Sequence, residues 1–309
     1  MKTWLNPYWP RVLALGAAIA VATIGAPHAS ASSSAWFVTS DTTLTADFSG
    51  QIVVVGSGVT LNCAGHLVSG EGSGVGINVA ADRVSVTNCR VQAFETAIQT
   101  TSDATHILGN AVTRNSEGIR LAGATNAAVS GNTATENESW GIIAAEATDG
   151  AAITGNSANN NGLIGIALNT ATASRVSDNS TNHNGDTGLD SLLSSGNQIH
   201  DNASMHNGNT GFGFESASGN TVTRNSATNN GVPGNGCGFC FNDSSGNTVS
   251  QNGALRNGGI GFFTFFGSQF NVFSGNRGCE NYYVDALDIS EGSGNTWGGN
   301  RFCTTEGIS

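Results

Sequence analysis

The sequence predicts an all-β fold, a single-stranded parallel β-helix with three short strands in each coil of about 23 residues. Three observations predict it. An asparagine recurs at Asn62, Asn88, Asn110, Asn132, Asn156, Asn179, Asn202, Asn225, Asn252, Asn276 and Asn300, in steps of 26, 22, 22, 24, 23, 23, 23, 27, 24 and 24 residues. Apolar and small residues hold fixed offsets from that asparagine. Asn and Gly punctuate the short alternating runs between them. Self-similarity at a period in the low twenties is the mark of a solenoid. Hydrophobic residues make up 38% of the chain, enough to fill a core and set aside a disordered Asn/Gly tract.

Residues 1–31 read as a secretory signal peptide. Lys2 and Arg11 supply the positive start, Val12 to Gly25 the apolar run, and Ala29-Ser30-Ala31 the small-residue cleavage pattern. The run is short for a membrane span, and an uncleaved anchor is the alternative. The mature chain then begins near Ser32, is secreted to the extracellular side, and has no membrane span. It contains no lysine, and its nine Arg face 22 acidic residues, a formal charge of −13. Nucleic acid is a poor partner for such a chain, because phosphate binding needs clustered cations. Anionic polysaccharide is repelled unless a bound cation bridges it.

A single β-helix domain is expected over residues 32–309. Its N-terminal cap falls near residues 32–50, where Trp36 and Phe37 are available to cover the first coil. QIVVV and GSGVTLN then read as the first strand-rich coil. From Asn88 onward the coil can be laid out by offset. Three residues before the leading Asn stands a core column, Ile107, Val129, Ile153, Val176, Ile199, Val222, Val249, Phe273 and Trp297. Two residues after it the column is mostly small, as in Ala134, Ala158, Ser204 and Ala227. Five after it is a second ladder from Asn115 to Asn281, and a third appears at Asn197, Asn220, Asn247, Asn271 and Asn295. Runs such as Gly165-Ile166-Ala167-Leu168 and Gly211-Phe212-Gly213-Phe214 alternate inward and outward. Asn tolerates left-handed backbone angles and bonds its own turn, and stacked Asn side chains can hydrogen-bond from coil to coil.

The cysteines fall on the same frame. Cys63 and Cys89 each follow a ladder Asn by one residue, and Cys279 and Cys303 each follow one by three. Equivalent offsets on stacked coils lie about 4.8 Å apart, inside the Cα range of a disulfide. Cys63–Cys89 and Cys279–Cys303 bridges are therefore expected to staple the two ends. Cys237 and Cys240 form a CxxC beside the VPGN insertion. A redox motif would want a βαβ setting, so a local clamp on the insertion is the simpler reading.

The run GSGVTLNCAGHLVSG, GVGINV, ADRVSVTNCRV and FETAIQT resembles the start of secreted bacterial right-handed parallel β-helix repeat proteins. The later GN-x-x-x-x-x-N-G-x-x-G units resemble the repeats of the NosD copper-accessory and the carbohydrate-binding and sugar-hydrolase β-helix families. The resemblance covers nearly the whole mature chain. It implies a pectin-lyase-like fold whose members bind, cleave or epimerise polysaccharides, or have no known chemistry. Shared turn and core residues specify fold and leave function to the site.

Three outward patches carry candidate chemistry. Asp190 and Glu215 are expected to face outward on adjacent coils, diagonally placed, about 7–8 Å apart. An acid and a base at about 6.5–9.5 Å suit inverting glycoside hydrolysis. Asn169 and Asn242 are expected to flank Glu215 in its column, as candidate ligands for sugar hydroxyls. Asp178 and Asp201 each precede a ladder Asn, with Arg224 next in their column. Two stacked carboxylates suit Ca²⁺, and the resemblance implies a similar lyase-type arrangement with Arg224 as the basic group. An Arg224–Asp201 ion pair is the alternative. His183 and His206 stack four residues after their ladder Asn, and imidazoles suit Cu or Zn; a polar ladder is the alternative. Late aromatics, among them Phe263, Phe265, Phe266, Tyr282 and Tyr283, form either a sugar platform or a surface covered by the tail. Three classes of function stay open: a glycan-active hydrolase or lyase, a non-catalytic module binding polysaccharide or cell-surface glycan, and a NosD-like metal-handling protein.

Overall fold

The repeat folds as its period requires. A computed structural model describes residues 35–265, 267–290 and 294–308; the signal-peptide reading over 1–31 and Phe266 lie outside the described residues. Among the described residues three parallel sheets run from Trp36 to Glu306, with 13, 12 and 12 strands. Each coil contributes one strand to each sheet, and between the two ends every strand pairs with the strand one coil before and one coil after. The 13-stranded sheet, called the front sheet below, carries the longest strands, including Thr187–Leu192, Thr210–Glu215 and Cys237–Asn242. Among the described residues no helix is long and apolar enough to cross a membrane.

The asparagines hold the corners. From Asn110 to Asn276 each leading Asn donates its side-chain amide to the next Asn Oδ1, at 2.9–3.1 Å, and the series ends on Asn300. The same amide also reaches a backbone carbonyl of the preceding coil, as Asn202 does with Val176 at 2.9 Å. The Oδ1 accepts the backbone N–H of the previous Asn, as Asn202 does from Asn179 at 3.0 Å. Each side chain thus satisfies buried backbone groups that a turn would otherwise leave unpaired. The second ladder runs from Asn115 to Asn281 in the same way and ends on buried Asp285, which accepts from the Asn281 amide at 2.7 Å. The third, from Asn197 onward, is likewise hydrogen-bonded through Asn220, Asn247, Asn271 and Asn295.

Inside, the core column is fully buried from Ile107 to Phe273. Toward the C-terminal half it changes from aliphatic to aromatic. Phe212, Phe239 and Phe262 stack face to face at 4.7 and 4.8 Å, and Phe214 stacks on Phe241 at 4.5 Å. The register Phe212↔Phe239↔Phe262 makes this stacking a direct product of the parallel pairing. At the N-terminal end Trp36 packs on Phe48, while Phe37 points out and is 61% exposed. Cys63–Cys89 and Cys279–Cys303 join neighbouring coils near the two ends, with Cα atoms 4.6 and 5.2 Å apart. Cys237–Cys240 is also a disulfide. It does not clamp the insertion: both cysteines lie inside the front-sheet strand that follows it.

Candidate functional site

Strict alternation breaks once in the long front-sheet strands, and that break builds the outward face. In Thr187–Leu192, Gly188 and Leu189 both turn inward. A Cβ on Gly188 would sit 2.0 Å from Ser204 Oγ in the interior, and Leu189 is fully buried. Thr187, Asp190 and Leu192 are left facing out. Parallel pairing extends them into three rows: Ile164, Thr187, Thr210 and Cys237; Ala167, Asp190, Gly213 and Cys240; and Asn169, Leu192, Glu215 and Asn242.

Asp190 and Glu215 therefore stand on neighbouring strands in adjacent rows, on one diagonal. Gly213 makes room between them. A Cβ there would lie 2.5 Å from Asp190 Oδ1, so a larger residue would have to push the carboxyl aside. Asp190 is half-buried, and its carboxyl is pushed up to about 7. Desolvation is the largest cause, followed by the charges of Glu215 and Asp186. Asp186 lies in the turn entering the same strand. Burial raises its carboxyl too, against hydrogen bonds from Asn209 and Thr187 that hold it down. Asp186 is the member of the cluster that the repeat offsets miss, because it belongs to a turn column and not to a strand row. The diagonal offset places Asp190 and Glu215 in the 7–8 Å class of cross-strand neighbours. Asn242 is directly beside Glu215 in its row. Asn169 is one coil further off, with Leu192 between it and Glu215.

The acidic patch sits between two apolar ones. On one side Ile143, Ala145 and Ala167 pack with Trp140 and Ile164. On the other, Cys237, Ile260, Phe263 and Val284 pack with Cys240, Phe265, Leu287 and Ile289. The next cation along the Asp190 row is Arg120, three coils away. It is already held by Glu117 at 3.1 Å and Glu146 at 2.7 Å. Tyr282 and Tyr283, 59% and 57% exposed, stand edge to face nearer the C-terminal end.

The other two patches lie at corners, away from this face. Arg224 grips Asp201 with both arms, Nε to Oδ1 at 2.8 Å and Nη2 to Oδ2 at 2.7 Å, and His200 Nδ1 lies 2.7 Å from the same Oδ2. Arg224 first and His200 second hold the Asp201 carboxyl down at about 2. Asp178 makes no such pair and acts on Arg224 by charge alone. A calcium ion at Asp178 and Asp201 would have to displace the guanidinium. His183 and His206 stack with ring centroids 5.0 Å apart and planes 12° from parallel, and the Asn229 amide lies 3.3 Å from His206 Nε2. In the same corner column Arg114 pairs with Glu136 and Arg256 with Glu280.

The chain matches the profile of the family described as periplasmic copper-binding protein (NosD), over residues 39–231 and 194–308. No curated protein matches it. Solved structures of similar fold include the Dettilon tailspike protein, with a TM-score of 0.68 at 13% identity, covering 89% of this chain and 60% of that one. The periplasmic alginate epimerase AlgG has a TM-score of 0.56 at 15% identity, covering 86% and 76%. The DFA-IIIase of Arthrobacter chlorophenolicus A6, solved with GF2, has a TM-score of 0.60 at 17% identity, covering 72% and 66%. The chain spans less than two thirds of the tailspike's length, and identities this low establish the pectin-lyase-like fold alone.

Among the described residues, donors for copper are offered by the stacked histidines and by a cluster of Cys279, Cys303 and Asp285. The two stacked imidazoles supply two ligands, where closed sites take three or four. Sγ of Cys279 and Cys303 and a carboxylate oxygen of Asp285 lie within 4.8 Å of one another. Both sulfurs are joined in a disulfide, and Asp285 accepts from Asn281 and Thr304. These residues do not make a closed copper site.

Proposed function

Since the chain belongs to the family of periplasmic copper-binding protein (NosD) but sets Asp190 and Glu215 together on one sheet face, we propose that it is exported and acts on polysaccharide there. The polysaccharide lies along the front sheet, and Asp190 and Glu215 hydrolyse it. The observation that carries this reading is the acidic diagonal itself: two carboxyl groups on adjacent rows, cleared by Gly213 and flanked by apolar patches. Pairs whose surroundings separate their proton affinities assign the acid and the base. Asp190, pushed up to about 7, keeps its proton near neutrality and is the acid. An alginate epimerase on the same fold lends the glycan class support.

Asp190 gives its proton to the glycosidic oxygen as the bond from the anomeric carbon to that oxygen breaks. Glu215 takes a proton from the water that attacks the same carbon from the other side. One water is consumed and no other reactant is needed. Asn242, next to Glu215, hydrogen-bonds a sugar hydroxyl, and Asn169 serves a neighbouring sugar. The disulfides and the family's periplasmic description support an oxidising location outside the cytoplasm.

The test is a depolymerisation screen on neutral and uronic-acid polysaccharides, with and without Ca²⁺, following chain length and unsaturated ends. Shorter chains without unsaturated ends are expected. Unsaturated ends that require Ca²⁺ would transfer the chemistry to Asp178, Asp201 and Arg224. Retained binding with no shortening on any substrate would reduce the protein to a binding module.

A second reading, metal handling, is favoured by the stacked His183–His206 pair together with the family description. On that reading the two imidazoles are a surface docking point completed by a partner's ligands. Copper binding by the native protein that His183→Ala or His206→Ala weakens at least about tenfold would support it; unchanged binding in both variants would remove it.

A further inference from the structure

Cys237 and Cys240 occupy outward rows of the front sheet, one coil beyond Thr210 and Gly213. The inward turn of two consecutive residues puts them side by side. A Cβ on Gly238 would meet Gly261 and Ala254 inside, and Phe239 is fully buried. With both intervening residues turned in, the two side chains point to the same outward side of the strand, Cα atoms 6.0 Å apart. That spacing lies within the range of a disulfide without movement of the strand.

This bridge differs in kind from the other two. Cys63–Cys89 and Cys279–Cys303 join neighbouring coils, with sequence separations of 26 and 24, whereas Cys237–Cys240 has a separation of 3 and joins no coils. A loop that short removes the least chain entropy of the three. The strand is already fixed by its backbone pairing to Thr210–Glu215 and Ile260–Thr264 and by the Phe212–Phe239–Phe262 stack. Opening the bridge frees no coil. The two sulfurs are also unequal. Cys237 is 2% exposed, and the Thr210 hydroxyl lies 3.9 Å from its sulfur. Cys240 is only half-buried.

We propose that Cys237 and Cys240 form a reversible dithiol–disulfide couple that exchanges with small external thiols, entered at Cys240. An external thiolate attacks Cys240 Sγ and forms a mixed disulfide. The Cys237–Cys240 bond breaks, and Cys237 Sγ leaves as a thiolate that receives a hydrogen bond from Thr210 and then a proton from solvent. A second external thiol attacks the mixed disulfide at the external sulfur, releasing the Cys240 thiol and the oxidised external disulfide. Two electrons pass from two external thiols to the bridge, and the reverse sequence closes it.

The experiment equilibrates the mature protein in glutathione buffers of graded ratio, blocks free thiols by alkylation, and maps them by peptide mass, with circular dichroism recorded alongside. The reduced-to-oxidised ratio at Cys237 and Cys240 is expected to rise at least about tenfold across the series, while Cys63–Cys89 stays oxidised and the β signal is unchanged. A pair that stays oxidised in the most reducing glutathione buffer would overturn the proposal. So would a pair that opens only as the β signal is lost. Entry at Cys240 is tested separately. Cys237→Ser should accumulate a glutathione mixed disulfide at Cys240, several-fold more than Cys240→Ser does at buried Cys237. Equal trapping in the two variants would overturn the assigned entry.

Discussion

Asn202→Ala is expected to lower the stability of the β-helix by roughly 2–5 kcal/mol, although it deletes no apolar contact of note. The Asn202 side chain accepts the backbone N–H and the amide of Asn179, at 3.0 and 2.9 Å. It donates to the Val176 carbonyl at 2.9 Å and to Asn225 Oδ1 at 3.0 Å. Alanine leaves a buried N–H and a buried carbonyl without partners in the middle of the ladder. Each orphan costs about 1–3 kcal/mol, since neither can reach water. Asn202→Asp separates the two halves of the effect, because it keeps the acceptor and removes the donor. Gln198→Ala, at an exposed position in the adjacent strand, should stay within about 0.5 kcal/mol of the native protein. The measurement is the urea midpoint of the cooperative transition. Asn202→Ala unfolding together with Gln198→Ala would mean that the ladder is decoration and that the apolar columns alone hold the coils.

Asp190→Asn is expected to reduce glycan cleavage by about 10²–10⁴-fold while stabilising the fold at alkaline pH. The second effect follows from linkage. The folded Asp190 holds its proton up to about 7, against 3.8 as its ordinary value. Between those limits the folded state binds more protons than the unfolded one. Stability therefore falls as pH rises from about 4 to about 7 and stays reduced above that range. Asparagine has no charge to desolvate. At pH 8 the variant should melt above the native protein, and at pH 4 the advantage should vanish. Glu215→Gln should also abolish cleavage by removing the base. It additionally removes a negative neighbour, so the pH at which Asp190 loses its proton should fall. Thermal melts of the three proteins between pH 4 and 8 read the stability effects with no substrate present. A pH-independent difference between Asp190→Asn and the native protein would show that this carboxyl titrates normally, and the assigned acid would be lost with it.

The two outcomes draw on different layers of the same repeat. The ladder is visible in the chain because stacked coils repeat every offset, and each Asn meets the Asn of the next coil. The end disulfides are visible for the same reason, since Cys63 and Cys89 share one offset and Cys279 and Cys303 share another. The buried column from Ile107 to Phe273 is a third case. Asp190 and Glu215 also fall where alternation puts them. Their neighbours were less legible. Leu192 stands between Asn169 and Glu215, so the row of polar groups is broken where a list of asparagines alone would make it continuous. Asp186 enters the cluster from a turn, at an offset that repeats as Leu163 and Asn209 and shows no chemical pattern.

By itself the sequence determined the period, the three strands of each coil, the corner asparagines and the residues that fill the interior. All are nearest-neighbour consequences of stacking one coil on the next. Only the tertiary structure decided what the outward faces do. It placed the Asp190 carboxyl over Gly213 and brought the charge of Asp186 to bear on it. It bound Asp201 to Arg224 in place of leaving it open to a cation, and it set the Cys237–Cys240 bridge within one strand in place of clamping the insertion before it. The physical reason is that interior positions are set by a periodicity that every coil repeats, whereas an outward side chain takes its partners from neighbouring rows and turns. Those partners depend on rotamer, exposure and local charge, which differ from coil to coil and leave no periodic trace in the chain.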